Sequence, residues 1–238
     1  MKDRAVADFY DKFVDTQAQI KVNERIYGLF KRMKNLGLNK KSRVLELGSG
    51  IGTMTALISR IASSGSVETV ELSPESVKYA KSRLNRPNVV INQGDVVTYE
   101  PKGESFDFVT LFDVIEHIPK EKHVELFSNI SSHMNSGTKL IINIPNPDCI
   151  EYDQVNQPEV LQIIDQPIHI HFLLPIFEKI GLTVRFMEKY GVWVKDDYVF
   201  YVIEKRKKFE EKKIQEQRTF SQKVRNKLLR LKLKYFYR

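Results

Sequence analysis

Residues 44–52, Val44-Leu45-Glu46-Leu47-Gly48-Ser49-Gly50-Ile51-Gly52, set an apolar run and an acid ahead of three glycines at every second position. That pattern suits a buried parallel strand breaking into a tight turn whose backbone closely approaches a bound small molecule. Glycine is required there because a Cβ would block the approach and resist positive φ. A dinucleotide fingerprint, Gly-x-Gly-x-x-Gly, would place its third glycine at position 53, but Thr53 stands there and the glycine comes one residue early. Alone, the turn is also compatible with a purely structural role, so the residues downstream decide.

Those residues alternate. Arg43–Leu47, Val67–Leu72, Val89–Gln93, Phe106–Phe112 and Lys139–Ile144 read as strands, with helices over Thr53–Ser63, Ser73 to about Asn85, and Lys120–Met134. Ser73 suits an N-cap and Pro74 the first helical position. Upstream, Phe9–Leu36 suits one or two helices, with Ile20, Glu24, Tyr27 and Lys31 at helical spacing and Gly37 as a C-cap. Downstream, Asp148–Gln166 reads as irregular and Leu174–Ile180 as a helix. Thr183–Glu188 and Tyr198–Glu204 form a closing antiparallel pair around Lys195-Asp196-Asp197. The expected fold is α/β and doubly wound, a seven-stranded, mostly parallel sheet with one antiparallel strand and helices on both faces. We expect an N-terminal helical cap (1–40), a main domain (41–205) with a substrate-side insert at about 146–172, and a basic amphipathic tail (206–238).

Charge separates the tail from the rest. Residues 205–238 hold 14 Lys/Arg against 3 Asp/Glu, whereas the other 204 residues hold 24 against 27. The body is mildly acidic, which argues against a nucleic-acid cleft through it. The single cysteine, Cys149, cannot close an internal disulfide and fits a reducing compartment. The first eight residues mix both charges, so no secretory signal is expected, and no stretch approaches the ~20 apolar residues of a membrane span. The expectation is a cytoplasmic protein, or one peripheral to the inner face of the membrane.

Acids recur where the strands end. Glu71 closes the second strand, Gly94-Asp95 follows the third, and Phe112-Asp113 closes the fourth, with Glu116-His117 just beyond. In a doubly wound sheet these are neighbouring carboxyl ends, the expected place for a ligand. Glu71 can accept hydrogen bonds from both ribose hydroxyls, and Asp95 from an adenine amino group. In motif order, Glu46–Gly52, Val70-Glu71-Leu72-Ser73, Gln93-Gly94-Asp95-Val96 and Phe106-Asp107-Phe108-Val109 through Asp113–Ile118 resemble the class I S-adenosylmethionine-dependent methyltransferases. The resemblance spans about residues 40–205 and implies the Rossmann-like methyltransferase fold, S-adenosylmethionine as cofactor, and methyl transfer as the activity. It also implies that Gly48 and Gly50 line the methionine moiety, Glu71 binds the ribose, and Asp95 with the Val96 backbone holds adenine. Glu46, Ser49, Gly52, Leu72, Phe112 and Asp113 complete the expected cofactor site. A turn without pyrophosphate geometry suits a phosphate-free nucleoside, and Glu46 and Asp113 favour its sulfonium charge.

An alcohol acceptor must lose a proton, and histidine, with an ordinary pKa of about 6.5, suits that task. The candidates are His117, His169 and His171; the last two lie two apart and, if extended, share a face. His123 and His133 read as structural or solvated. Enzymes methylating exocyclic amines of DNA commonly carry Asn/Asp-Pro-Pro-Tyr after the fourth strand, where this chain reads Phe112-Asp113-Val114-Ile115. The Asp113–His117 run is similar to that of quinone-biosynthesis O-methyltransferases and of small-RNA 2′-O-methyltransferases. In the latter, two acids, a histidine and a later histidine bind Mg²⁺. A metal is not expected here, and that ligand set is the alternative. The segment from Ile144 to Asp165 resembles methyltransferases of bacterial polysaccharide and lipopolysaccharide pathways. Its polar residues Asn146, Asp148, Glu151, Asp153, Asn156 and Asp165 suit hydroxyl recognition. The leading expectation is therefore O-methylation of a sugar or glycan, lipid-linked or free. RNA 2′-O- or quinone O-methylation is the enzymatic alternative, and a cofactor-binding tethering module the non-enzymatic one. Homodimerisation is left open.

Residues 206–238 are expected to form a long helix. Phe220, Val224, Leu228, Leu231 and Tyr235 make one apolar stripe flanked by lysine and arginine, which reads as an anchor on an anionic membrane surface, with packing on the domain or RNA binding as alternatives.

Overall fold

The computed structural model describes residues 14, 17–103, 105–162, 164–211 and 218–236. The expected helix content at residues 1–13, 15 and 16 lies outside the described residues. The chain divides into two compact units, Met1–Arg206 and Lys207–Arg238.

In the first unit, α1 (Glu24–Asn35) starts at Asn23, whose side chain accepts the Ile26 N–H at 3.0 Å. Glu24 in its first turn and Arg32 and Lys34 in its last complement the helix dipole, and Gly37, at φ +105°, ends it as expected. There follow β1 (Arg43–Leu47), α2 (Thr53–Ile61), β2 (Ser66–Glu71), α3 (Pro74–Arg83), β3 (Val89–Gln93), β4 (Phe108–Phe112), α4 (His123–Ser132) and β5 (Lys139–Pro145). The Ser73 hydroxyl accepts the Ser76 N–H at 3.0 Å, the expected cap of α3.

Strand order is β3-β2-β1-β4-β5-β7-β6, with β6 at Leu182–Tyr190 and β7 at Tyr198–Lys205. The first five strands pair in parallel, and β7 runs antiparallel to both β5 and β6. This is the expected seven-stranded Rossmann-like sheet. Strand order reverses between β1 and β4, running outward to β2 and β3 on one side and to β5 on the other, so the crevice at their carboxyl ends is the switch point where ligands bind.

Both sheet faces are covered, so the central strands are apolar at nearly every position. Alternate side chains divide between two cores: Leu45, Val109, Leu140, Ile142 and Tyr201 face α4 and α6 (Ile170–Lys179). Val44, Phe108, Ile141, Phe200 and Val202 face Leu29 and Met33 of α1 and Ile58 of α2.

Two expectations need correction. The segment read as irregular contains a helix, α5 (Pro147–Asn156), capped by the Asn146 side chain on the Asp148 N–H at 3.3 Å, with Pro147 at its start. The helix expected at Leu174–Ile180 begins at Ile170 and carries Pro175 inside it, so His171 lies on a helical first turn and not in extended chain. In the second unit, the described residues hold one shorter helix than expected, α7 (Phe220–Phe236). Among the described residues no helix is long and apolar enough to cross a membrane.

Candidate active site

A cavity of about 350 Å³ opens at the switch point, within the range of small-ligand sites. Its floor is the glycine turn. Gly48 and Gly50 hold φ of +76° and +53°. A Cβ on Gly48 would fall 2.5 Å from Val114 Cγ2, and one on Gly50 3.2 Å from Gln17 Oε1, so the turn is a cradle that only glycine leaves open. The Ser49 hydroxyl lines this cradle and is buried without a hydrogen-bond partner. Glu71 is aimed by the backbone: Gly50 N–H donates to Oε2 at 2.8 Å and Ser73 N–H to Oε1 at 2.9 Å. Asp95 is held by the Val97 N–H at 2.9 Å, and Leu72, Val96 and Phe112 complete the wall. An orphaned hydroxyl, a glycine cradle and a fixed acid at a strand end fit a phosphate-free nucleoside with a charged amino-acid tail.

Glu46 lines the same cavity yet is 3% exposed. Burial pushes its carboxyl up to about 7, opposed by a 2.5 Å hydrogen bond from the Thr55 hydroxyl and reinforced by Glu71.

At the other end, Asp113 sits at φ +54° and is ion-paired with Arg25 of α1. Asn143 Nδ2 donates to Asp113 Oδ1 at 3.3 Å, and the Tyr190 hydroxyl donates to Asn143 Oδ1 at 2.7 Å. Arg25 also stands 5.8 Å from the Tyr198 ring centroid. Next to this group His117 lines the cavity. Its Nδ1 lies 2.5 Å from the Ile164 carbonyl and 3.1 Å from Asp165 Oδ1, while Nε2 lies 3.9 Å from Glu116 Oε1. Burial opposes the charged imidazole, but Glu116, Asp165 and the Ile164 carbonyl outweigh it and push the His117 pKa up to about 9. Glu116 is fully buried with both carboxylate oxygens lacking a hydrogen bond, and burial raises it as well.

The expected residues thus gather in part. Glu46, Gly48, Ser49, Gly50, Glu71, Leu72, Asp95, Val96, Phe112, Asp113 and His117 line one cavity. Gly52 does not: its missing Cβ would meet Leu84 Cδ1 at 2.6 Å, so it serves the packing of the α2 N-terminus on α3. His169 and His171 also lie off this cavity, stacked 5.1 Å apart beside a separate surface hollow, with His169 Nε2 2.7 Å from Glu151 Oε1. Of the polar residues read as hydroxyl-binding, Asp148 is paired with Lys189 at 2.5 Å and Asn146 Nδ2 donates to the Asp196 carbonyl at 2.8 Å, whereas Asp165 meets His117 at the cavity. Among the described residues, metal-ligand groups converge at Asp148, Glu151 and His169, not at Asp113, Glu116 and His117. His123 is structural as expected, buried with Nε2 3.0 Å from the Ile115 and Ile118 carbonyls. Arg25, Lys21 and Gln17 on one wall and Gln162 and Ile164 on another escaped sequence reading. Only the helical spacing of 20–31 hinted at a packed helix there.

Three comparisons extend these observations. A family model described as a methyltransferase domain matches residues 19–185. The chain is 25% identical over 167 residues to trans-aconitate 2-methyltransferase of Mycobacterium sp. (strain KMS), a match covering 70% of this chain and 61% of that protein. The chain therefore spans less than two thirds of this relative. It is 33% identical over 95 residues to protein-L-isoaspartate O-methyltransferase of Anaeromyxobacter dehalogenans (strain 2CP-C), covering 38% of this chain and 44% of that one. The crystal structure of magnesium protoporphyrin IX methyltransferase from Synechocystis PCC 6803 with bound SAH shares the fold. Its TM-score is 0.67 at 14% identity, covering 87% of this chain and 100% of that chain.

Proposed function

This chain belongs to the methyltransferase-domain family, and we propose that it is a class I S-adenosylmethionine-dependent methyltransferase that methylates an oxygen of a small acceptor, a sugar or glycan hydroxyl, with His117 taking the proton. The observation that supports this is the His117–Asp165 pair at the cavity wall. A carboxylate beside Nδ1 fixes the ring and its tautomer, the arrangement suited to proton removal at Nε2. The cofactor, when bound, supplies a methyl carbon already activated by a sulfonium. Glu71, Asp95 and the glycine cradle orient that nucleoside, and alignment of this kind contributes ~7–11 kcal/mol to such a displacement. With the cofactor held there, His117 Nε2 would take the proton of the acceptor hydroxyl, while Asp165 beside Nδ1 would keep the ring in place.

A second reading is favoured by the pKa of His117, about 9, and by Arg25 in the same cavity. An imidazolium is a donor, not a base, and suits an acceptor that is already anionic. The two relatives are named after trans-aconitate and isoaspartate, both carboxylic acids. A carboxylate acceptor needs no proton removal, and His117 and Arg25 would hold its charge.

The pH profile of kcat/KM separates the two, measured with labelled cofactor on panels of sugars and carboxylic acids from about pH 6 to pH 10. A hydroxyl acceptor with His117 as base gives a rate that climbs as pH rises through about 9. A carboxylate held by the imidazolium gives a rate that falls there. A flat profile matched by an undiminished His117→Gln enzyme removes His117 from both.

A further inference from the structure

Helix α7 is not used by the site. It contains six Lys/Arg and no Asp or Glu over Phe220–Phe236. At ~100° per residue, Phe220, Val224, Leu228, Leu231 and Tyr235 fall within about 80° of arc. All five are exposed, from 41% at Val224 to 83% at Phe220. Lys223, Lys227, Arg230 and Lys234 run along one margin of this stripe, and Arg225 and Lys232 along the other. Leu229 and Leu233 lie behind the second margin.

We propose that α7 lies flat on an anionic phospholipid bilayer, the stripe in the acyl boundary and the cations among the headgroups. Charge complementarity and geometry carry the proposal together. Lysine and arginine stems on both margins can cover apolar surface while their charges reach phosphates. A nucleic acid would meet the cations but leave the stripe in water. A second copy of the helix seamed along the stripe would set basic margins against basic margins, which coiled coils avoid. The helix is short for a span, and no described helix qualifies as one, so the mode is interfacial.

The test is flotation of the full chain with vesicles of phosphatidylcholine alone or mixed with phosphatidylglycerol. The chain should float with the mixed vesicles, stay behind with the neutral ones, and be released by salt. Replacing Lys227 and Lys234 by Gln should weaken binding roughly fivefold per cation. Leu228→Glu with Leu231→Glu should weaken it at least about tenfold. Leu229→Glu with Leu233→Glu, off the stripe but equal in added charge, should weaken it clearly less, the difference between the two pairs reading the stripe. Unchanged cofactor binding in each variant shows that the first unit is folded. Equal flotation on neutral vesicles, equal loss for both leucine pairs, or no flotation of the wild type overturns the proposal. So does retention on homopolymeric RNA without vesicle binding, or a lipid-free dimer that Leu228→Glu with Leu231→Glu abolishes.

Discussion

Glu46 lies under the glycine turn with its carboxyl pushed up to about 7 by burial. Near neutrality it is part protonated, and a ligand bearing a positive charge binds better to its ionised form. Cofactor affinity should therefore rise about tenfold from pH 6 to pH 8, the change in ionised fraction of a group titrating near 7. Calorimetric titration at the two values checks this, and Glu46→Gln should flatten the dependence. Gly48 is held by two independent constraints, its φ of +76° and the Val114 methyl group. Gly48→Ala should cost about 1–2 kcal/mol in backbone strain alone and weaken cofactor binding by more than about tenfold. Adding Val114→Ala removes the contact but not the strain, so chemical denaturation should show only partial recovery. Such glycines are legible in a sequence because no other residue serves. Arg25 is not, because its partner Asp113 arrives from another element.

At the scale of elements, α1 is fastened across the crevice by arginines two turns apart. Arg25 meets Asp113, while Arg32 pairs with Glu188 and lies 4.2 Å from the Tyr190 ring centroid, and Leu29 and Met33 of the same helix are buried. Residues 164–166 are fastened in a similar way, by Asp165 on His117 and by the Gln166 N–H on the Glu116 carbonyl at 3.1 Å. Asp165→Asn should lower the His117 pKa, since it removes one cause of its elevation, and NMR titration of the imidazole checks the direction. The strands and α3 were readable because apolar runs, caps and breakers agree in each. Helix α5 was not: Ile150 and Pro147 are its only buried residues, so it has no apolar stripe to recognise, and only the Asn-Pro start betrays it. The partners of the polar residues in this region were not legible either, because Lys189, Asp196 and His117, which meet Asp148, Asn146 and Asp165 in the fold, lie on other elements.

For the whole molecule, the buried groups of the site set a pH dependence of stability. Glu46 and Glu116 are raised from an ordinary 4.5, so the stability linked to them is full below that value and is lost as pH rises through about 7. His117 is raised from 6.5, so its contribution is full below 6.5 and is lost as pH rises through about 9. His123 is lowered and acts in the opposite sense, its contribution lost as pH falls below the ordinary histidine range. Above about pH 6.5 the first three dominate. Tm of the cofactor-free chain should fall toward pH 9, at about 2–4 °C per kcal/mol for a chain of this size. Scanning calorimetry reads the slope, and His117→Gln should reduce it. The strand order carries a further consequence, for synthesis. Strand β7 is last in sequence yet lies between β5 and β6, so a nascent chain that has emerged only as far as Asp197 has β5 with a bare edge and β6 with no neighbour. Until the final strand slides between them, the growing polypeptide offers the cell an unguarded template for pairing with other chains, and its safety depends on how quickly the ribosome delivers eight more residues.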